Sequence, residues 1–248
     1  MEFYANTDIG KMRVKNQDQA VVIHNYKDQI LALVCDGMGG HKAGEIASYV
    51  VKEHVLSCFR CNPPFISREE VLEWMKDTVY EAHQIVKRMA DMDEDTKGMG
   101  TTIAMAVIDE NQAYLCHVGD SRIYINNQEE IKQVTKDHTF VNELVDRGAI
   151  SLEEAKHHSQ KNVLTQAIGV DMEIKPTIST IDISHYDLMI CSDGLYNAID
   201  DSVIHEILNQ KISVQAKVNE LIDRANQNGG HDNIAVVIVE HRGGKVNE

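Results

Sequence analysis

The chain reads as an α+β protein, antiparallel sheets covered by helices, and three observations predict it. Short apolar runs of strand character outnumber helical segments and mostly follow one another directly. The helical segments, marked by apolar residues three and four positions apart, come in pairs set between blocks of strands. No internal repeat or Pro/Gly/Ser-rich linker divides the 248 residues, which include only three prolines. A single domain over 1–241 with a polar tail at 242–248 is therefore expected. Sheets covered by helices bury both kinds of apolar face.

In chain order, 3–8 and 19–24 have strand character and flank a connection carrying Arg13, Asn16, Gln17 and Asp18. A third strand, 29–35, runs into Asp36-Gly37-Met38-Gly39-Gly40-His41, where three glycines in four positions permit a sharp turn. From Lys42 onward Ile46, Ala47, Val50 and Val51 have helical spacing, so the order is strand, glycine elbow, helix, with Asp36 where the strand stops. Ser67 and Glu70 have the capping-box spacing, and Val71 to Met89 continue as a long amphipathic helix whose stripe suits the core. Runs at 101–108, 113–118, 122–125 and 130–134, joined by turn-like residues, predict an antiparallel meander. Residues 139–162 are polar and broken, with another Ser-x-x-Glu at Ser151 and Glu154, and fit a surface insertion with short helices. Strands are expected again at 164–168, 177–181 and 188–191, then helices at 201–209 and 213–227, then a last strand at 233–239.

Composition excludes several functions. The formal net charge of −15, from 24 Lys and Arg against 39 Asp and Glu, opposes unassisted binding to nucleic acid or an anionic membrane surface. No apolar run approaches the roughly 18 residues that span a bilayer, and Met1-Glu2-Phe3-Tyr4 lacks the features of a signal peptide. A cytoplasmic protein without membrane insertion is expected. The five cysteines, an odd number, suit a reducing compartment without a disulfide framework. Cys58-x-x-Cys61 has no second pair at zinc-finger spacing, so the sequence predicts no zinc site there.

The elbow at Asp36 has two functional readings. A phosphate-cradling loop needs Gly-Lys-Ser/Thr, which Gly40-His41-Lys42-Ala43 does not supply. The other reading presents the Asp36 carboxylate and a nearby carbonyl to a cation. Three more aspartates beside glycines support it: Gly119-Asp120, Asp193-Gly194, and Asp232 after Gly229-Gly230-His231. Mutually repelling carboxylates gathered at one sheet rim require cations between them. Ligands so scattered along the chain do not fit an EF-hand, which needs them within about twelve residues.

The ordered series Arg13-x-x-Asn16-Gln17-Asp18, Asp36-Gly37-Met38-Gly39-Gly40-His41-x-x-Gly44-Glu45, Gly100-Thr101-Thr102, Gly119-Asp120-Ser121-Arg122, Ser192-Asp193-Gly194-Leu195 and His231-Asp232-Asn233 resembles the metal-dependent protein phosphatases of the PP2C (PPM) family in their bacterial form. The resemblance covers about residues 3–240. It implies a four-layer α-β-β-α sandwich with Mn²⁺ or Mg²⁺, two per active site. Asp36 would bridge the two metals, the Gly37 carbonyl would bind one, and Asp193 and Asp232 the other. Asp18 matches a residue that holds metal-bound water, and Asp120 with Asp193 a weaker third-metal site. Arg13 matches the phosphate-binding arginine. The implied reaction is hydrolysis of phosphoserine and phosphothreonine by direct attack of a metal-bridging water or hydroxide. The implied partners are phosphorylated proteins and a cognate Ser/Thr kinase, for a monomeric enzyme. Animal members carry a histidine where this chain has Met38, so that role does not transfer, and nearby His41 or a metal-bound water is the candidate proton donor. Residues 139–162 match the flap of bacterial members. An inactive relative would have lost metal carboxylates that this chain keeps, and a nucleotide phosphodiesterase would need a base or ribose pocket that no motif here supplies.

Overall fold

The two sides of individual strands set the architecture of this protein, a computed structural model of which describes residues 1–39 and 43–241. In β3 (Ile30–Met38), Leu31, Leu33 and Cys35 pack into one apolar cluster while Ile30, Ala32 and Val34 pack into another. Successive strand residues point to opposite faces, so β3 is covered on both sides. That coverage explains an unbroken apolar run where a half-exposed strand would alternate with polar residues.

The remaining elements are β1 (Glu2–Asp8), β2 (Asp18–His24), α1 (Ala43–Cys61), α2 (Arg68–Met92), a 3₁₀ turn at Glu94–Thr96, β4 (Gly100–Thr101), β5 (Ile103–Asp109), β6 (Gln112–Val118), β7 (Arg122–Asn126) and β8 (Ile131–Gln133). They continue with α3 (Phe140–Asp146), α4 (Leu152–His157), β9 (Thr177–Asp182), β10 (Asp187–Cys191), α5 (Asp193–Tyr196), α6 (Asp201–Leu208), α7 (Val214–Gln227) and β11 (Ile234–Glu240). A five-stranded sheet has the order β1-β11-β10-β7-β8, and a six-stranded sheet runs β2-β3-β5-β6-β9 with β4 beside β3. The strand pairs are antiparallel.

Three apolar clusters separate four layers. Ala32, Val34, Ala104, Ala106, Ile125, Ile190, Ala235 and Val237 fill the space between the sheets. Leu31, Leu33, Met105 and Val107 face Val51, Val55, Met75 and Val79 of α1 and α2, while Met189, Val236 and Ile238 face Ile204, Val218 and Leu221 of α6 and α7. The expected α-β-β-α sandwich is thus the observed one.

Several boundaries differ from expectation for physical reasons. β3 continues through Asp36 to Met38 because Gly37 and Met38 pair with Thr101 and Gly100 of β4, so Asp36 lies inside a strand. No strand forms at 164–168. That segment makes only isolated bridges, Leu164 with Thr139 and Ile168 with Thr101, since β4 is two residues long and Gly169, at φ +89°, turns the chain away. At α2 the Ser67 hydroxyl accepts from the Glu70 amide at 3.2 Å, but the Glu70 carboxylate caps the Ile66 amide instead of closing the box on Ser67. The box at Ser151 and Glu154 is complete. α1 carries Cys58 and Cys61 in its last turns, and all five cysteines are free thiols. No helix among the described residues is long and apolar enough to cross a membrane. The tail at 242–248 lies outside the described residues.

Candidate metal centre

The register of β2 on β3 sets Asp18 directly opposite Asp36. The Asp36 backbone is fully engaged: its carbonyl accepts from the Thr102 amide and the Thr101 hydroxyl, each at 2.8 Å, and its amide donates to the Thr102 hydroxyl at 3.0 Å. Thr102 is in turn linked to the Ser121 hydroxyl at 2.6 Å. With the backbone held this way, the Asp36 carboxylate lines a cavity of about 250 Å³ together with Met38, Thr102, Asp120, Asn162, Leu164 and Asp193. Gly37 faces the other way, where a Cβ would stand 2.2 Å from the Gly44 carbonyl oxygen and 2.6 Å from that of Gln17. Only glycine lets the start of α1 approach β3 this closely.

The other sheet contributes the remaining carboxylates. Ser192 locks the end of β10 to β11 by donating its amide to the Ala235 carbonyl and accepting from the Ala235 amide on its hydroxyl. Asp193 begins α5 immediately afterwards, and Asn197 donates to its carboxylate at 3.2 Å. A Cβ on Gly194 would stand 1.9 Å from the Asn233 carbonyl oxygen, so this glycine seats α5 against the start of β11. Asn233 tethers the connection that bears Arg13. Its side-chain amide donates to the carbonyls of Ile9 and Lys15, and its oxygen accepts from the Gln17 amide, all at 2.8 Å. Arg13 reaches the Asp232 carboxylate at 2.7 Å. Asp120 follows the turn at Gly119, and the Tyr196 hydroxyl donates to its carbonyl at 3.1 Å.

Burial and mutual repulsion dominate the electrostatics. Burial, with help from Asp193 and Asp232, raises Asp18 from 3.8 to about 7 against the favourable hydrogen bond from Ser192. Asp36 is raised well above the ordinary value by burial and then by Asp18, Asp193, Asp120 and Asp232. Burial and Asp193 take Asp120 to about 7, and burial and Asp232 take Asp193 to about 6. Asp18 Oδ2 is buried without a hydrogen-bond partner among the described residues. An oxygen of this kind, within a group of carboxylates whose charge one exposed arginine does not balance, fits a bound hard cation and its water.

Arg13, Asp18, Asp36, Gly37, Asp120, Asp193 and Asp232 are thus gathered at one rim of the sandwich, whereas His41 lies outside the described residues. Sequence reasoning assigned no role to Asn233, Ser192, Thr102 or Tyr196, although the first three stand inside the recognised motifs. Their task is to fix backbone between distant segments, for which no local pattern exists. His138 is another such residue. Burial and neighbouring His117 lower it to about 4, so the neutral ring accepts from the Gly119 amide at 3.2 Å and contacts the Thr177 hydroxyl at 3.0 Å. It braces the turn that presents Asp120.

The sandwich and the oxygen donors at its rim define a metal-dependent phosphoprotein phosphatase. The chain belongs to the Protein phosphatase 2C family, whose model matches residues 12–235. Protein phosphatase PhpP of Streptococcus pneumoniae is 39% identical over 240 residues, covering 96% of this chain and 97% of the relative. Among solved structures, serine/threonine phosphatase Stp1 from Staphylococcus aureus superposes with a TM-score of 0.92 at 34% identity, covering 98% of this chain and 95% of that one. The catalytic domain of the serine threonine protein phosphatase PstP, a complex with 2 manganese ions, does so at 0.83 and 32% identity, covering 96% of each chain.

Proposed function

We propose that this protein removes phosphate from phosphoserine and phosphothreonine in proteins with the help of Mn²⁺ or Mg²⁺ held at the carboxylate rim. The observation that carries the reading is the convergence of Asp36, Asp120 and Asp193 on one cavity with Asp18 and Asp232 close enough to add to their repulsion, each raising the charge cost of the next. Asp36 would bridge two ions, the Gly37 carbonyl would hold one, and Asp193 and Asp232 the other. Asp120 with Asp193 would form a weaker third site, and Asp18 would act through water. When bound, the ions lower the pKa of water toward neutrality and offset phosphoryl charge.

The chain's own side chains do the rest. Arg13, half exposed beside Asp232, would turn its planar fork onto two phosphoryl oxygens, a contact that lysine does not reproduce. Asp18 has a free acceptor oxygen on which to orient a water. His41 is the candidate donor of a proton to the leaving serine or threonine oxygen. Asn162, the last residue of the flap, lines the cavity with Leu164 just beyond it, so 139–162 would shape access for a phosphorylated segment. The enzyme would act as a monomer opposite a cognate Ser/Thr kinase.

Hydrolysis of p-nitrophenyl phosphate and of a phosphothreonine peptide, with Mn²⁺ and with EDTA, tests the reading. Activity is expected only with metal, and Asp193→Ala should lower kcat by at least about a hundredfold, the upper end of what losing an indirect metal contact costs. Activity untouched by EDTA or retained in the variant would overturn it.

A further inference from the structure

A second group of donors lies on the helical layer, well away from the carboxylate rim. About 21 Å of helix separates Gly44, at the rim, from Cys58. His54 and Cys58 are four residues apart on α1 and therefore share a face. Glu81 meets them from α2. Cys58 Sγ is 3.6 Å from His54 Nε2, and the same nitrogen is 3.4 Å from Glu81 Oε2. One ligand atom from each of the three residues lies within 4.8 Å of the others.

Two of these separations equal edges of a metal polyhedron. Cys58 Sγ also lies 4.0 Å from Nδ1, so a turn of the partly exposed His54 ring is what would bring its Nε2 lone pair onto an ion shared with the sulfur. Zinc bonds of about 2.3 Å to sulfur and about 2.0–2.2 Å to nitrogen and oxygen, at tetrahedral angles, give edges of about 3.6 Å for S···N and about 3.4 Å for N···O. One N–H on Nε2 accounts for the contact with Glu81, and Thr78 stands beside the Cys58 thiol, so hydrogen bonds hold the three residues in pairs and leave the centre of the group open to an ion. A cation satisfies all three donors at once. Their mixture of sulfur, nitrogen and oxygen suits a borderline-soft ion, whereas the all-oxygen rim suits Mn²⁺ or Mg²⁺. A cleft of about 380 Å³ lined by His54, Tyr80, Glu81, Gln84, Ile85 and Arg88 gives an ion a way in.

We propose that His54, Cys58 and Glu81 form a zinc-type metal site that ties α1 to α2, separate from the phosphatase centre. Cys58-x-x-Cys61 contributes one ligand through Cys58, and the histidine and carboxylate that complete the set lie where the cysteine spacing gives no hint of them.

Titrating the full chain with Co²⁺ distinguishes the two centres, since only a thiolate ligand gives sulfur-to-cobalt charge-transfer absorption in the near ultraviolet. The wild type should develop this band as Co²⁺ is added, whatever the rim also takes up, and Zn²⁺ should abolish it by displacement. The band should vanish in Cys58→Ser, require at least about tenfold more Co²⁺ in His54→Ala and Glu81→Gln, and persist in Asp193→Ala. Zn²⁺ should also shield Cys58 from alkylation, read by peptide mass spectrometry on the wild type without any substitution. Absence of the band together with absence of shielding, or a band unchanged by Cys58→Ser or His54→Ala, would overturn the site. Failure here leaves the reading of the rim intact, because no cysteine among the described residues lines the rim cavity and the Met38 thioether there gives no thiolate band.

Discussion

Arg13 carries one charge against several, and its contact with Asp232 makes it both a brake on repulsion and the candidate phosphate clamp. The hydrogen bond to Asp232 and the surrounding carboxylates raise its pKa further, so it stays cationic at any working pH. Arg13→Ala should raise KM for a phosphopeptide about 10- to 100-fold, the range of a lost charge-assisted hydrogen bond. Mn²⁺ affinity by calorimetry should stay the same or tighten, since Asp232 loses a competitor. Weakened metal binding would make Arg13 a scaffold residue. Arg13→Lys should recover little, because a point charge cannot grip two oxygens in a fork. The motif gives the identity of Arg13 in the sequence. Its salt bridge spans 219 positions and is invisible there.

At the level of elements, the candidate ligands depend on a few close backbone approaches. Gly194 seats α5 on β11, and the Cβ of an alanine would collide with a carbonyl oxygen that has no room to retreat. Gly194→Ala should cost about 3 kcal/mol in urea unfolding, at the upper end for overpacking, and should weaken Mn²⁺ binding because Asp193 shifts relative to Asp232. Gly148→Ala, in the flap at φ +66° with open space around it, should cost only about 1 kcal/mol and leave Mn²⁺ binding unchanged. Equal effects from the two would contradict the seating role of Gly194. Strand and helix periodicities placed nearly every element correctly. The failure at 164–168 shows the limit of a short apolar run, which can be buried as irregular chain when only a two-residue strand is available to pair with it.

Across the whole molecule, fold and site oppose each other. Asp18 and Asp120 near 7 and Asp193 near 6 mean that, without metal, the folded chain keeps protons which the unfolded chain sheds above about 4. The metal-free protein should therefore lose stability as pH rises from about 4 to about 7. Saturating Mn²⁺, if taken up by the ionised carboxylates of the folded state as proposed, should raise Tm and remove this decline. Thermal unfolding at pH 5, 6, 7 and 8 with EDTA or Mn²⁺ measures both slopes, and Asp120→Asn should flatten the metal-free one. A metal-free Tm that climbs from pH 5 to pH 7 would contradict this account. The sequence by itself determined the α+β class, the order of the glycine-flanked aspartates and the phosphatase family, because periodicity, turns and motif spacing are local properties that survive in a linear string. Only the tertiary structure decided that Asp18 stands opposite Asp36, that Asn233 tethers the Arg13 connection, and that His54 and Cys58 meet Glu81. These contacts depend on sheet register and helix packing, where segments far apart in the chain are brought together by burying apolar faces that carry none of the site's chemistry.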